Sequence, residues 1–499
     1  MNGASAFTLE EATIETIHAA YKAKTLTVRR LVEMYLERIA RFDKAGPTLN
    51  ALISLNPDAL NEANHLDAAF ASSGFTGPLH GIPVVVKDQI DMKGIPTTLG
   101  SVLFANYIPN RDSFVVDKLR RAGAVFLGKA TLGELGGGDT HGSLFGSTRN
   151  VYDLERTAGG SSGGSAVCVS ANFCTVALAQ EGFSSIRRPA VWNGVVGMRP
   201  TVGLVSRSGV YGGWPTLNGS VGPMARTVAD LAKLLDSMVG YDAADPITAR
   251  SVGRAPSDFS SALNKSALCG SRIGILREAV GYDTDPASQD FKNVDEAFER
   301  SVGELRAAGA ELVDPLTIPD LKALLATRAR DTEADNAMFE QYFANGTAPF
   351  ATRQTVLGSP DFAKVHPSSQ RRFETTDSPE RHYRYLRARE TLMTNLLKVM
   401  ADHKLDAIVH KAVEHQPTRI KDGVGGSYVD QKGAIHINTF LMFVPSVVVP
   451  AGFTSDQLPV GITFLGRPYD DANMIQLAYA YEQATRHRVP PPILSQPAK

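Results

Sequence analysis

The stretch RDSFVVDKLRRAGAVFLGKA (111–130) contains a helical pattern, then a glycine break, then a short buried strand from Ala124 to Leu127. Upstream of it, GIPVVVKD (81–88) is a β-branched run that is entered through Pro83. Strands that alternate with helices in this way lie in a sheet that is covered on both faces. The sequence therefore predicts an α/β fold.

Further elements extend this pattern toward both ends of the chain. Residues 1–70 are predicted to be helical, with Thr8 and Glu11 as a capping box at the start. The later elements are a charged, mainly helical region, two strands and a closing helix, at 255–440, 444–452, 459–466 and 472–485. Because no repeat, low-complexity tail or linker interrupts the chain, we expect one mixed-sheet domain over residues 1–499 with a helical elaboration.

Composition excludes partners that are recruited by bulk charge. The 499 residues carry 51 Lys and Arg against 52 Asp and Glu, a formal net charge of -1. Such a chain has no global field that would gather nucleic acid or anionic lipid, so its partners must be selected locally. We expect a small-molecule substrate, no nucleic acid and no membrane, with the protein as a monomer or homodimer.

The cysteines and the N-terminus suggest the compartment. Cys168, Cys174 and Cys269 are an odd set without a C-x-x-C pair or metal-ligand spacing, which argues against disulfides and structural zinc. The N-terminus lacks a basic region followed by an apolar run, and no stretch of 18 apolar residues occurs. We therefore expect a cytoplasmic protein.

Small residues mark a candidate active-site loop at GGSSGGS (159–165). Such residues allow the backbone to approach other groups closely and to present amides and hydroxyls, although a plain Gly/Ser turn is the alternative. Downstream, EGFSSIRRPA (181–190) supplies a second serine loop, and Lys87 ends the apolar run near residue 85. A strand-end lysine with two serine loops has the parts of a serine hydrolase that uses no histidine.

A nucleophile elbow is a competing interpretation of the same loop. Gly160, Ser162 and Gly164 fit G-x-S-x-G, which requires a buried strand immediately before the serine. The preceding NVYDLERTA (150–158) contains two acids and an arginine and is not such a strand. The elbow interpretation is therefore disfavoured.

The order of motifs resembles the amidase signature family. It runs GIPVVVKDQID, GSTRN, ERTAGGSSGGS, SIRRPA, GLVSRSG and GPMARTVADLA, and the C-terminal VPAGFTSDQLPVGITFLGRPYDDANMIQLAYAYEQAT is similar too. The resemblance covers 75–240, which would form the signature core with the catalytic triad, and 440–486, which would complete it. It implies a single α/β/α domain on a mixed sheet and a Ser–cis-Ser–Lys triad that hydrolyses amide bonds through an acyl-enzyme.

The resemblance also assigns roles to individual positions. Lys87 matches the catalytic lysine, Ser161 the serine whose preceding peptide bond is cis, and Ser185 the nucleophile, with a 24-residue step between the two serines. Backbone amides near the nucleophile would form the oxyanion hole, at Gly182, Phe183, Ser184 and Ser185. Supporting residues would hydrogen-bond to the triad or hold its loops, namely Ser162, Glu181, Arg187, Thr148, Arg149 and Asn150. No cofactor and no metal is implied.

The chemistry requires an unprotonated amine. Lysine with a free pKa of about 10.4 is neutral in only about one molecule in 2,500 at pH 7, so Lys87 can act as a base only where burial lowers its pKa. Asp88 would oppose this shift, but adjacent strand residues point to opposite faces. The expected path carries the Ser185 proton through Ser161 to Lys87 and then to the leaving amine.

The sequence departs from the family at AQEGFSS (179–185), where the family usually has GTDTGGS. Phe183 and Ser184 replace two glycines and would be strained if those positions need positive φ. Phe183 either walls an acyl pocket or is a buried packing aromatic. The segment DAIVHKAV (406–413) also differs from the family. Its His410 and Lys411 would either face the substrate entrance or lie at the surface, and we expect the surface.

The sequence leaves the substrate open between two classes. One is a small or aryl amide cleaved by a stand-alone amidohydrolase, with carbamates (urethanes) and esters also possible because they share the tetrahedral chemistry. The alternative is the glutamyl/aspartyl-tRNA amidotransferase A-type subunit, which releases ammonia from glutamine and needs companion subunits. Within the substrate-lining elaboration 255–440, four aromatic residues would form either an apolar pocket or core: Phe339, Tyr342, Phe343 and Tyr383.

Overall fold

An eleven-stranded mixed sheet organises the protein, a computed structural model that describes residues 7–256, 258–344, 348–423 and 430–494. Its order is β1-β3-β2-β6-β8-β7-β12-β13-β11-β9-β10, and β4 and β5 form a separate hairpin. The strands are β1 Leu52–Leu55, β2 Pro83–Lys87, β3 Val125–Ala130, β4 His141–Gly142, β5 Gly146–Ser147, β6 Val176–Glu181, β7 Val196–Arg199, β8 Ser220–Ala225, β9 Arg272–Leu276, β10 Glu311–Leu316, β11 Ala407–Lys411, β12 Ser446–Phe453 and β13 Pro459–Leu465.

Helices cover this sheet, which confirms the predicted α/β fold. Every residue of the neighbouring strands β3, β2, β6 and β8 is buried, so both faces of this region are covered. The helices are α1 Ile14–Lys22, α2 Val28–Phe42, α3 Ala59–Ser73, α4 Phe114–Arg121, α5 Gly163–Ser170, α6 Arg187–Trp192, α7 Val228–Met238, α8 Gln289–Ala307, α9 Leu321–Leu325, α10 Thr332–Phe343, α11 Arg353–Leu357, α12 Pro367–Glu374, α13 Pro379–Asp402, α14 Ile420–Gly423, α15 Ile437–Phe440 and α16 Asp471–Thr485.

Strand direction brings the ends of β2 and β6 together. The two strands are parallel neighbours, with Val86 opposite Leu178, and β3 is parallel to β2 on its other side. Because parallel strands end at the same edge of a sheet, the last residue of β2, Lys87, lies beside the residues that end β6. The segment that follows β6 therefore begins next to Lys87.

The N-terminal helices form as predicted, but the capping residues differ. The buried face of α1 includes Ile14 and Ile17. Its N-cap is Thr13, whose hydroxyl accepts a hydrogen bond from the Thr16 amide at 3.2 Å, so the expected capping box of Thr8 and Glu11 is wrong. The Glu11 carboxylate instead pairs with Arg488, which holds the preceding segment to the C-terminal end of the chain.

The region 255–440 is less purely helical than its composition indicated. It contributes β9, β10 and β11, which continue the main sheet as parallel neighbours beyond β13. The remaining part is helical, from α8 to α15. Across the four described stretches of chain, no helix combines the length and the apolar character that are needed to cross a bilayer.

Candidate active site

Lys87 lies at the end of β2 with its side chain fully buried. Its Nζ is 2.8 Å from the Ser161 Oγ and 3.2 Å from the carbonyl oxygen of Gln180. Burial lowers the pKa of the Lys87 amine well below its usual value; the Glu181 charge opposes this shift and the Arg372 charge adds to it. A neutral amine in hydrogen-bond contact with a hydroxyl can accept its proton.

The neighbouring carboxylate of Asp88 does not pair with Lys87. It lies 3.2 Å from the Nζ of Lys129, and both side chains are fully buried. Alternation along the strand directs Asp88 away from the site, as expected. The Asp88 carboxylate is therefore paired with Lys129 and does not stabilise the protonated form of Lys87.

Ser161 follows a cis peptide bond with Gly160. Its Oγ accepts from Lys87 and donates to the carbonyl oxygen of Gly136 at 2.9 Å. A Cβ on Gly160 would lie 2.4 Å from the carbonyl oxygen of Gly138, so only glycine fits there. The small residues of 159–165 thus permit the close backbone approach that the sequence predicted.

Ser162 links the two serine loops. Its amide donates to the carbonyl oxygen of Ser185 at 3.1 Å, and its hydroxyl donates to the carbonyl oxygen of Gln180 at 3.2 Å. Ser162 therefore fixes the segment that carries Ser161 against the segment that carries Ser185.

Ser185 faces a cavity and is 5 % exposed. Among the hydrogen bonds that the described residues make, none joins its hydroxyl to Ser161. The structure thus brings Lys87 and Ser161 into direct contact and places Ser185 on the adjoining loop. The expected proton path requires the Ser185 hydroxyl to come within hydrogen-bond distance of the Ser161 Oγ.

The loop 182–185 presents unused backbone donors. Within the described part of the chain, no hydrogen bond uses the amides of Gly182, Phe183, Ser184 or Ser185. Neither Phe183 nor Ser184 has a positive φ, so the strain that the missing glycines would have caused does not arise. The four amides are free to donate to an oxyanion.

Glu181 holds this loop in place. Its Oε2 accepts from the amides of Ile186 and Arg187 at 2.8 and 3.0 Å, and its Oε1 accepts from Arg187 Nε at 2.8 Å. Burial alone would raise the pKa of Glu181, but the charges of Arg187 and Arg199 hold it below its usual value. The Nη2 of Arg187 also donates to the carbonyl oxygen of Phe183 at 2.9 Å.

Two further residues support the loops: Asn438, which no local sequence pattern marks, and Arg188, which lies in the SIRRPA motif but was given no role. Asn438, distant in sequence, donates to Glu181 Oε1 at 3.0 Å. Arg188 pairs with Asp139 beneath the Ser161 loop. An alignment of relatives could have found them, because a single sequence shows neither their spacing nor their contacts.

The residues at 148–150 hold neighbouring backbone rather than the triad. Thr148 Oγ1 donates to the carbonyl oxygen of Asn50 at 2.7 Å, and Asn150 Nδ2 donates to that of Trp192 at 2.7 Å. Arg149 is exposed, and its amide donates to the carbonyl oxygen of Leu49.

The cavity in front of Ser185 has a volume of about 650 Å³. Phe183 lies in its wall and also packs against His436, with ring centroids 4.0 Å apart, so it is both wall and packing aromatic. Phe339 and Phe343 belong to a separate aromatic cluster with Phe104, which favours the core interpretation. Tyr383, another of the four aromatic residues predicted to form a pocket or core, is 61 % exposed.

His410 and Lys411 are buried, so the expectation that they lie at the surface is wrong. They are 2 % and 4 % exposed and end a central strand of the sheet. The Nζ of Lys411 lies 2.6 Å from Asp295 and about 5 Å from the ring of Phe298, so its charge is compensated inside the fold. Neither residue lines the cavity.

Comparison with known proteins agrees with this geometry. The Amidase family model matches residues 30–475. A probable amidase of Arabidopsis thaliana is 34 % identical over 98 % of this chain and 93 % of its own length. The glutamyl-tRNA(Gln) amidotransferase A-type subunit of Thermosynechococcus vestitus is 32 % identical over 95 % of this chain and 98 % of its own.

A solved structure shares the whole fold. The native peptide amidase from Stenotrophomonas maltophilia superposes with a TM-score of 0.85 at 34 % identity, covering 97 % of this chain and 98 % of that one. The match therefore includes the region 255–440 as well as the segments that carry the serines. The chain belongs to the amidase signature family, and it is an enzyme that acts on C–N bonds.

Proposed function

We propose that this protein is a stand-alone amidase in which Ser185 is the nucleophile, Ser161 the relay and Lys87 the base. The observation that carries the proposal is the fully buried Lys87 amine, 2.8 Å from the Ser161 hydroxyl. A lysine in this setting is a base because its charged form is desolvated. The resemblance to the amidase signature family supports the same roles.

The proposed reaction proceeds through an acyl-enzyme. Ser185 attacks the carbonyl carbon as its proton passes through Ser161 to Lys87, and the tetrahedral oxyanion is stabilised by amides of the loop 182–185. The proton then returns along the same path to the nitrogen of the leaving amine, and the C–N bond breaks. Water, deprotonated by the same relay, attacks the acyl carbon and releases the acid and the Ser185 hydroxyl.

The cavity supports a small or aryl amide as substrate. Its volume of about 650 Å³ lies within the range of small-molecule sites, and Phe183 provides an aromatic wall. Carbamates (urethanes) and esters are further candidates because they pass through the same type of tetrahedral intermediate. A cytoplasmic location and a monomeric or homodimeric state are part of this proposal.

A second candidate function is that of an amidotransferase A-type subunit, which is favoured by the relatives of that class. Several A-type subunits of glutamyl-tRNA(Gln) amidotransferases are 30–32 % identical over most of both chains. Such an activity would appear as glutamine hydrolysis together with stable association with companion subunits. Turnover of anilides by the isolated chain, without glutaminase activity, would exclude it.

The test is a panel of p-nitroanilides, primary amides, esters, aryl carbamates and glutamine. We expect anilide or amide turnover by the wild-type enzyme and its loss in Ser185→Ala. Ser237→Ala is the matched control, because it removes a buried hydroxyl without a partner on the distant helix α7. Equal turnover by Ser185→Ala and wild type would refute the assignment.

A further inference from the structure

Positive charge is concentrated in the cavity although the chain as a whole is nearly neutral. Five arginine side chains line the cavity against three aspartates, whereas the complete sequence has a net charge of -1. Such a local excess of one sign in a concave site raises the concentration of ligands of the opposite sign. The protein itself neutralises only some of these arginines.

Two of the five arginines of the cavity, Arg330 and Arg353, share one carboxylate. Asp335 lies 2.7 Å from Arg330 Nη2 and 3.6 Å from Arg353 Nη1.

By contrast, Arg328 and Arg372 have no carboxylate within 4 Å and no side-chain hydrogen bond, as far as the chain is described. The fifth arginine, Arg389, also has no carboxylate within 4 Å among the described residues, but its Nη2 contacts the Met442 sulfur. We call Arg328 and Arg372 the two uncompensated cations, because they have neither kind of contact.

Arg328 lies directly over the oxyanion loop. Its guanidinium carbon is 4.3 Å from the ring centroid of Phe183, two residues before Ser185. Stacking on an aromatic face uses the plane of the guanidinium and leaves its N–H groups free at the edge. Phe183 stands where the family usually has glycine, so a glycine at this position would remove the stack.

Arg372, in helix α12, lies near the other serine loop. A Cβ on Gly137 would fall 1.7 Å from its Nη1, which shows that the guanidinium is packed against that glycine. The adjacent Gly136 supplies the carbonyl oxygen that accepts from Ser161. The two uncompensated cations therefore lie near both serine loops of the candidate active site.

We propose that the substrate of this amidase is an amide that carries a carboxylate, bound by Arg328 and Arg372. A planar carboxylate matches the paired N–H donors of a guanidinium group, and the described residues place no carboxylate within 4 Å of either arginine. Because the inference deepens the proposed function, it rests on Ser185 chemistry in this cavity. Burial lowers the pKa of Arg372, and the charges of Asp430 and Asp335, both farther than 4 Å away, oppose this shift.

The test compares amides that differ in one carboxylate. On the acyl side, the p-nitroanilide of glutaric acid is compared with that of pentanoic acid. On the amine side, N-acetyl-4-aminobenzoate is compared with N-acetyl-4-toluidine. The first pair is followed by p-nitroaniline release and the second by chromatography, at low and at high salt.

We expect kcat/KM for at least one carboxylate substrate to exceed that of its neutral partner by about 10- to 100-fold, the range of a charged hydrogen bond. Arg328→Gln and Arg372→Gln should each remove most of this preference, mainly by raising KM for the carboxylate substrate. The preference is measured as a ratio within each variant, because the Arg372 charge also lowers the pKa of Lys87. High salt should weaken the preference. The control is Arg384→Gln, an exposed arginine of α13 outside the cavity lining, which should keep the wild-type preference.

Three negative results are distinguishable. Equal kcat/KM for charged and neutral partners on both sides, with activity that depends on Ser185, would overturn the carboxylate inference and leave the amidase proposal standing. Absence of turnover for every amide in both panels would overturn both proposals. A preference that survives in Arg328→Gln and Arg372→Gln would show that these arginines do not bind the carboxylate.

Discussion

Glu181 and Arg187 are joined twice, since the carboxylate accepts from the Nε of Arg187 at 2.8 Å and from its backbone amide at 3.0 Å. Glu181 precedes the loop 182–185 and Arg187 follows it, so their buried ion pair holds together the two ends of the loop that carries Ser185. Loss of either partner should therefore loosen this segment.

Glu181→Gln should destabilise the protein by about 3–5 kcal/mol, because it leaves the charge of Arg187 buried without its partner. Urea unfolding measures the change. Glu311→Gln is the matched control: it breaks the exposed pair with Arg272, which should cost about 1 kcal/mol or less. Similar losses in both variants would contradict the role assigned to Glu181.

Lys87→Met should reduce kcat for amide hydrolysis by about 10³-fold or more, because among the described residues Lys87 is the only titratable group that hydrogen-bonds to Ser161. Methionine fills a similar apolar volume, so the fold should persist, and circular dichroism checks this. Kinetics with a chromogenic anilide measure the loss. A folded variant with kcat within tenfold of wild type would contradict the role of Lys87.

The pH profile should report the lowered pKa of Lys87. The base is active when neutral, so kcat/KM should fall as pH decreases through the folded pKa, which burial has lowered. The acidic limb should therefore lie well below about 10.4, the free lysine value. Initial rates across a buffer series measure it, and a limb at the free lysine value would contradict the assignment.

Phe183→Leu should raise KM for a carboxylate-bearing substrate by about 2- to 10-fold, the loss of one cation–π contact with Arg328. Turnover of a neutral anilide should change less, because leucine keeps an apolar wall and the loop amides. Parallel kinetics on a charged and a neutral substrate test this. Equal effects on both would indicate that Phe183 acts only through packing.

Gly160→Ala should lower activity and stability, because its Cβ would lie 2.4 Å from the backbone oxygen of Gly138 and displace Ser161. We expect a loss of about 1–3 kcal/mol, as for other overpacked sites. Gly303→Ala in helix α8 is the control: open space surrounds its Cβ, and it should stabilise by about 0.5–1 kcal/mol. Thermal unfolding compares the two.

The residues of the site that lie in contiguous motifs could be predicted from the sequence. Lys87 ends an apolar run, and Ser161 lies among glycines that permit close backbone approach, so residue type and order predicted their environment. The sequence also indicates that Phe183 replaces a glycine that the family usually has. Its φ could not be inferred, because backbone geometry at one residue depends on how the whole loop packs.

The parts that escaped prediction depend on contacts between distant segments. Asn438 and Arg328 reach the loop 182–185 only in the folded chain, and nothing in their local sequence marks them. Lys411 was expected at the surface because lysine is seldom buried, but Asp295 compensates its charge. Strand β9 was missed because its short apolar run lies in a charged region, where length and flanking residues favour helix.

The parallel pairing of β2 with β6 separates the chemistry from the choice of substrate. A hydrogen-bonded ladder, rather than a loop, sets the spacing between Lys87 and the segment of Ser185. The arginines of the cavity come from other stretches, at 328 and 372, outside both strands. Exchange of the stretch around Arg328 should therefore redirect the enzyme to new acyl or amine groups while the strands keep Lys87 in place, whereas a change at Arg372 would also alter the pKa of Lys87.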